Sequence, residues 1–221
     1  MRRSQESDPK AEYGEALRRS FRTPAAGPGG RDERLRAVAE GWRASFGLAL
    51  TPGPAELEPE VLGALERDDI LIERLTFQSR PGVRVTANLY RPRRLDAPAP
   101  GVLCVHGHWK WARIDPGVQA RCIGLARLGY VCLCVDAFGA GERAVEPGPG
   151  TYHGGPMGAS TWAAGVPLIG LQVFDNRRAV DYLTSRPEVD AARLAITGAS
   201  GGGNQTLYAG ALDDRLKAVV P

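Results

Sequence analysis

The twelve residues AITGASGGGNQT, 195–206, decide the fold. An apolar run, Arg193 to Thr197, leads into Gly198-Ala199-Ser200-Gly201-Gly202, which matches G-x-S-x-G, and a helix-forming segment follows. In that strand-turn-helix setting the pentapeptide makes a nucleophile elbow. The turn forces Ser200 into a strained backbone, and only small residues at 198 and 202 escape collision with the neighbouring strand and helix. The serine is lifted above the carboxyl edge of the sheet, at a helix N-terminus whose unpaired N–H groups favour negative charge. The Gly201 N–H becomes one oxyanion donor. A phosphate loop is the other use for so much glycine, but it requires G-x-x-x-x-G-K-[ST], and no such lysine follows.

Working outward, GVLCVHG (101–107), YVCLCVDAFG (130–139), ARLAITG (192–198) and LKAVVP (216–221) are unbroken apolar runs. Helical segments separate them: DPGVQARCIGLARLG (115–129), LQVFDNRRAVDYLTSRP (171–187) and SGGGNQTLYAGAL (200–212). Asp115 is placed as N-cap of the first, with Pro116 in its first turn and Gly129 closing it. Such alternation predicts an α/β fold with a mostly parallel sheet covered on both faces. Upstream, ILIERLTFQS and VRVTANLYRP alternate apolar and polar residues about RPG (80–82), a strand pair expected at the antiparallel edge. Six strands are thus expected over residues 65–221. Residues 31–64 are read as a helical segment, with Leu35, Val38, Ala39, Trp42 and Phe46 as its inward stripe, and 1–30 as a loosely ordered arm rich in Gly and Pro. Some thirty residues, 139–170, have no clear period and read as a binding loop or lid.

Composition narrows the classes of function. The chain has 221 residues, 43% hydrophobic, with a net charge of +3 from 28 Lys+Arg and 25 Asp+Glu. That balance is too slight for a nucleic-acid footprint. Nowhere do about 18 apolar residues run together, so no membrane span is expected. The N-terminus lacks a signal-peptide apolar region, and a cytoplasmic location is the default expectation. Cys104, Cys122, Cys132 and Cys134 fall mostly inside apolar runs and are expected to be buried, reduced thiols.

The second motif is VLCVHGHWK (102–110). In a fold with this elbow the second oxyanion donor comes from the loop after the third strand, which makes the His108 N–H the candidate. His106 is read as bracing that loop. The chain's three histidines, 106, 108 and 153, show neither metal-type spacing nor an accompanying carboxylate cluster, so no metal is expected. In DAFGAGER (136–143) the third glycine of a dinucleotide fingerprint is replaced by Ala144, so the segment reads as a tight turn beside the active edge. Trp109, Trp111, Tyr152 and Trp162 fall on loops at that edge. They suit the apolar faces of a substrate, or they pack on one another.

Together, HGHW, ARLGYVCLCVDAFGAGER, GLQVFDNRRAVDYL and ITGASGGGNQTLYAGALDDRLKAVVP resemble the α/β-hydrolase superfamily, within it the acetyl xylan esterase-like serine esterases near the dienelactone hydrolases. The resemblance covers about residues 65–221. It implies a Ser-His-Asp mechanism on a carboxylic ester, commonly an acetyl group on a carbohydrate, without a cofactor. Ser200 would be the nucleophile and the Gly201 and His108 N–H groups the oxyanion donors, with Trp109, Tyr152 and Trp162 as substrate contacts. In that fold the acid and the histidine follow the serine. Here 21 residues follow Ser200 and none is His. The expectation is a C-terminally truncated chain, poorly soluble and with little turnover alone; the alternative is that His108 or His153 serves as base. Two other functions compete: a prolyl oligopeptidase-like peptidase, which needs a larger accessory domain, and a non-catalytic binding module on the same fold.

Overall fold

The computed structural model describes residues 30–49, 55–145 and 155–221. The chain divides into two compact units, residues 1–38 and 39–221. Of the first, the described part is Gly30 and the opening of helix α1 (Arg31–Ser45); the expected arm otherwise lies outside the described residues. α1 forms where its periodicity predicts, and its end within the second unit packs inward. Trp42 and the buried Phe46 meet the Tyr208 ring edge-on, at 5.0 and 4.9 Å, whereas Leu35 and Val38 are 56% and 50% exposed.

Seven strands form one sheet: β1 (Glu60–Arg67), β2 (Ile70–Arg80), β3 (Val83–Pro92), β4 (Ala99–Val105), β5 (Val131–Val135), β6 (Val189–Gly198) and β7 (Leu216–Val220). Their order is β1-β2-β3-β5-β4-β6-β7. β1, β2 and β3 are antiparallel, β3 joins β5 antiparallel, and β5, β4, β6 and β7 are parallel. The hairpin predicted about RPG is present, with Gly82 at φ +73° in its turn. It does not form the sheet edge, where it was expected. β1 covers β2, and that strand crosses the boundary expected at residue 64 and raises the expected six strands to seven. EVLGALER hid it because both its faces are largely exposed, which leaves no period-two alternation; what holds it is pairing with β2 across the Asp68-Asp69 turn.

The unbroken apolar runs follow from helices on both faces. In β5, Val131, Leu133 and Val135 join a core with Phe77, Leu103, Ile196 and Leu183. Cys132 and Cys134 point the other way, into a core with Ile70, Tyr90, Val118 and Cys122. Helix α2 (Pro116–Arg127) covers this second face. It is capped as its sequence predicts, the Asp115 carboxylate accepting from Gly117 N–H at 3.0 Å, and Gly129 lies beyond it at φ +93°. Helices α4 (Leu168–Ser185) and α5 (Gly201–Leu212) cover the first face, where Tyr182 of α4 stacks on Phe77 of β2 at 5.3 Å. The described part of the aperiodic stretch before α4 contains an α-helix, α3 (Pro156–Ala163), which the sequence reading missed. All four cysteines are buried and free, as expected. Among the described residues no single helix is long and apolar enough to cross a membrane.

The chain winds from β4 through α2 to β5 on one side of β4, then through α4 to β6 on the other. Ligands of doubly wound sheets bind at such a reversal, outside the carboxyl ends of the strands. Both motifs singled out above, at the ends of β4 and β6, lie there.

Candidate active site

Between β6 and α5 the backbone turns through Ser200, at φ +59° and ψ −124°. A non-glycine residue in the left-handed half of the map costs on the order of 1–3 kcal/mol. Here the turn is held by Gly202 N–H donating to Ala199 O at 2.9 Å and Asn204 N–H to Ser200 O at 3.2 Å. Ser200 is exposed.

The glycines around the turn leave no room for a Cβ. β4 and β6 run side by side with Val105 opposite Gly198. A Cβ at Gly198 would stand 2.6 Å from Val105 Cγ2, and one at Gly202 2.9 Å from the backbone of Val105 and His106. The loop after β4 is equally close to the elbow: a Cβ at Gly107 would lie 3.0 Å from Ser200 Cβ, and one at Gly201 2.6 Å from the His108 ring. Residues 107–108 and 200–201 therefore form one packed junction, with the His108 ring over Gly201.

His106 is buried behind this junction. Its Nε2 accepts from Ala137 N–H at 3.1 Å and its Nδ1 lies 2.8 Å from Gly107 O, so the proton belongs on Nδ1. Burial lowers its pKa. Although Asp136 Oδ1 is 4.0 Å from Nε2, a ring nitrogen that accepts an amide proton is neutral, and the two do not form an ion pair. The His106 carbonyl accepts from Gln205 Nε2 at 3.3 Å, and Gln205 accepts from Asn176 Nδ2 at 3.2 Å. The ring and carbonyl of one histidine thus tie the loop after β4 to β5, α5 and α4.

Asp136, read from the sequence only as part of a turn, is the hub of a buried charged cluster. It is fully buried and receives the Arg113 guanidinium, the Arg113 N–H at 3.2 Å, the Thr86 hydroxyl at 2.8 Å and the Glu142 N–H at 3.2 Å. Arg113 also meets Glu142 at 2.6 Å. A second buried set joins Asp175 of α4 to Arg80 at 3.2 Å and Arg143 at 2.8 Å, with both guanidinium groups against the Phe138 ring. Sequence reasoning missed both. Arg80, Arg113, Arg143 and Asp175 are spread over 95 positions without a shared motif, and only folding brings them into two clusters.

Trp109 and Trp162 are exposed, at 39% and 75%, and Trp111 at 53% carries Lys110 Nζ 4.6 Å from its ring centre. Among the described residues these indoles do not stack on one another; the ring pairs are Trp42–Tyr208, Phe46–Tyr208 and Phe77–Tyr182. Tyr152 and His153 lie outside the described residues. Among the described residues no group of His, Cys, Asp or Glu could hold a metal ion. A cavity of about 600 Å³ opens beside the junction, over β2, β3 and the end of β5; it is lined by Arg74, Lys110, Trp111, Ile114 and the Asp136 cluster, and not by Ser200.

A mostly parallel sheet wound about β4, with an exposed serine on a strained turn at the end of β6, is the α/β-hydrolase fold. The chain belongs to the acetyl xylan esterase (AXE1) family, whose model matches residues 64–221. A curated relative is the Bacillus subtilis (strain 168) protein YtaP, named as a hydrolase, 26% identical over 181 residues, 76% of this chain and 58% of that protein. Among solved structures, the methylesterase BT1017 aligns with a TM-score of 0.75 at 24% identity, over 94% of this chain and 45% of that one. Acetyl xylan esterase 1 from Thermoanaerobacterium sp. JW/SL YS485 aligns at 0.60 and 17%, over 90% and 60%. At those identities the structures speak for the fold. The chain spans about half the length of the relatives it matches.

Proposed function

We propose that this protein hydrolyses a carboxylic ester through an acyl-enzyme on Ser200, with an acetylated carbohydrate as the substrate class. The observation that carries the proposal is the exposed Ser200 at φ +59° against the 107–108 loop. Membership in the acetyl xylan esterase family supports the acetyl ester, and exposed Trp109 and Trp162 supply apolar surface for a sugar ring.

In the proposed reaction the Ser200 hydroxyl attacks the acyl carbon and gives its proton to a base. The carbonyl oxygen becomes an oxyanion facing the Gly201 and His108 N–H groups, at the positive end of α5. Collapse expels the alcohol with that proton, and water then releases the acid by the same steps in reverse. Gly198 and Gly202 keep the elbow tight. In this fold the base is a histidine that follows the nucleophile with an acid between them; the three histidines of this sequence, 106, 108 and 153, precede Ser200. The rival base is His108, whose ring stands over Gly201.

A fluorophosphonate probe with p-nitrophenyl acetate turnover tests this. Labelling is expected at Ser200, and Ser200→Ala should abolish it and lower kcat by about 10³-fold or more. Absence of labelling would favour a binding module. Labelling that survives Ser200→Ala would refute the assigned nucleophile. Labelling lost in His108→Gln with an intact oxyanion loop would move the base to His108.

A further inference from the structure

The cavity of about 600 Å³ beside the elbow falls in the range of small-molecule sites, about 300–1,000 Å³. Its charges are unevenly used. Asp136 and Glu142 are both engaged by Arg113. Among the described residues, Arg74 and Lys110, the other two cations of the lining, have no carboxylate partner. Lys110 is fixed against Trp111, and Trp111 and Ile114 supply an exposed apolar wall. A site with two uncompensated cations beside an indole suits a ligand that is flat, partly apolar and anionic.

Its position ties it to the elbow. Gly107 lies against Ser200, and the same loop carries His108, Trp109, Lys110 and Trp111 in succession, braced by Trp109 N–H to Gly107 O at 2.8 Å and Ala112 N–H to Trp109 O at 3.1 Å. Three residues of chain span at most about 10 Å. The cavity wall at Lys110 therefore lies within reach of an oligosaccharide whose ester bond is at the serine.

We propose that this cavity binds the carboxylate-bearing sugar of an acidic oligosaccharide, with Arg74 and Lys110 facing the carboxylate and Trp111 the ring. The substrate of the Ser200 site is then an ester on an acidic glycan. This deepens the reading of Ser200 as nucleophile and rests on it only for the place of the ester bond; binding itself needs no catalysis.

The test measures binding of trigalacturonate and of neutral xylotriose to the Ser200→Ala protein by calorimetry at low salt. Trigalacturonate is expected to bind at least about tenfold more tightly, with the margin shrinking between about 0.05 and 0.5 M NaCl as the charges are screened. The double variant Arg74→Gln/Lys110→Gln should lose that margin, and Trp111→Ala should weaken the acidic sugar while its residual binding stays salt-dependent. Equal affinity for the two sugars, an unchanged margin in the double variant, or displacement of trigalacturonate by equimolar phosphate would each overturn the proposal. Because the measurement uses the serine-free protein, a failed nucleophile assignment and a failed sugar site give different results.

Discussion

The ends of β5 and β6 flank β4 and are built by opposite means. At the end of β6 the chain removes atoms: Gly198 and Gly202 let two strands and a helix meet at distances a methyl group would forbid, and the strain collects on Ser200. At the end of β5 the chain adds charge: Asp136 is buried completely and four donors converge on it. The first arrangement leaves a hydroxyl exposed. The second keeps its central carboxylate out of solvent and fixes the loops on either side. Steric omission thus presents an exposed hydroxyl, and electrostatic satisfaction holds its surroundings still.

Breaking the charged end should cost most. Asp136→Asn leaves the Arg113 guanidinium with Glu142 as its one carboxylate partner, beside the Asn88 amide oxygen, and removing one partner of a buried pair costs on the order of 3–5 kcal/mol; the urea midpoint should fall accordingly. At the steric end, Gly202→Ala drives a Cβ to 2.9 Å from backbone that cannot swing away, while Gly203→Ala meets its nearest atom at an ordinary 3.5 Å. The first should lose about 1–3 kcal/mol and the second should be neutral or gain up to about 1 kcal/mol in the same titration. An equal loss in both would sink the steric account.

Ser200→Gly sharpens the contrast by releasing the strain, and is expected to raise unfolding free energy by about 1 kcal/mol while abolishing probe labelling. The smallest effect concerns His106, whose folded pKa lies below its ordinary value because the ring is buried. The unfolded chain therefore binds the proton first: this contribution to stability is present above about pH 6.5 and is lost as pH falls toward the depressed folded value. Thermal unfolding of His106→Gln should show a shallower decline with acidity over that window, since Gln cannot titrate.

The elbow was legible because every requirement it makes is local. Five consecutive residues specify a tight turn, and the apolar run before it and helix after it define the setting. The same locality explains the Asp115 cap and the Gly82 turn. β1 was not legible because its stability comes from the edge of β2 and not from its own pattern. α3 was hidden in a stretch of small residues without an apolar stripe.

Sequence alone determined the alternation of strands and helices, the place of Ser200 at the end of a strand, and the small residues that keep it there, since each depends on backbone conformations set within a few positions. Only the tertiary structure decided which distant residues meet: the His108 ring over Gly201, Asp136 with Arg113, Asp175 with Arg80 and Arg143, and the cations around the cavity. Charges act through space at a few ångströms, and only packing determines which of them come that close.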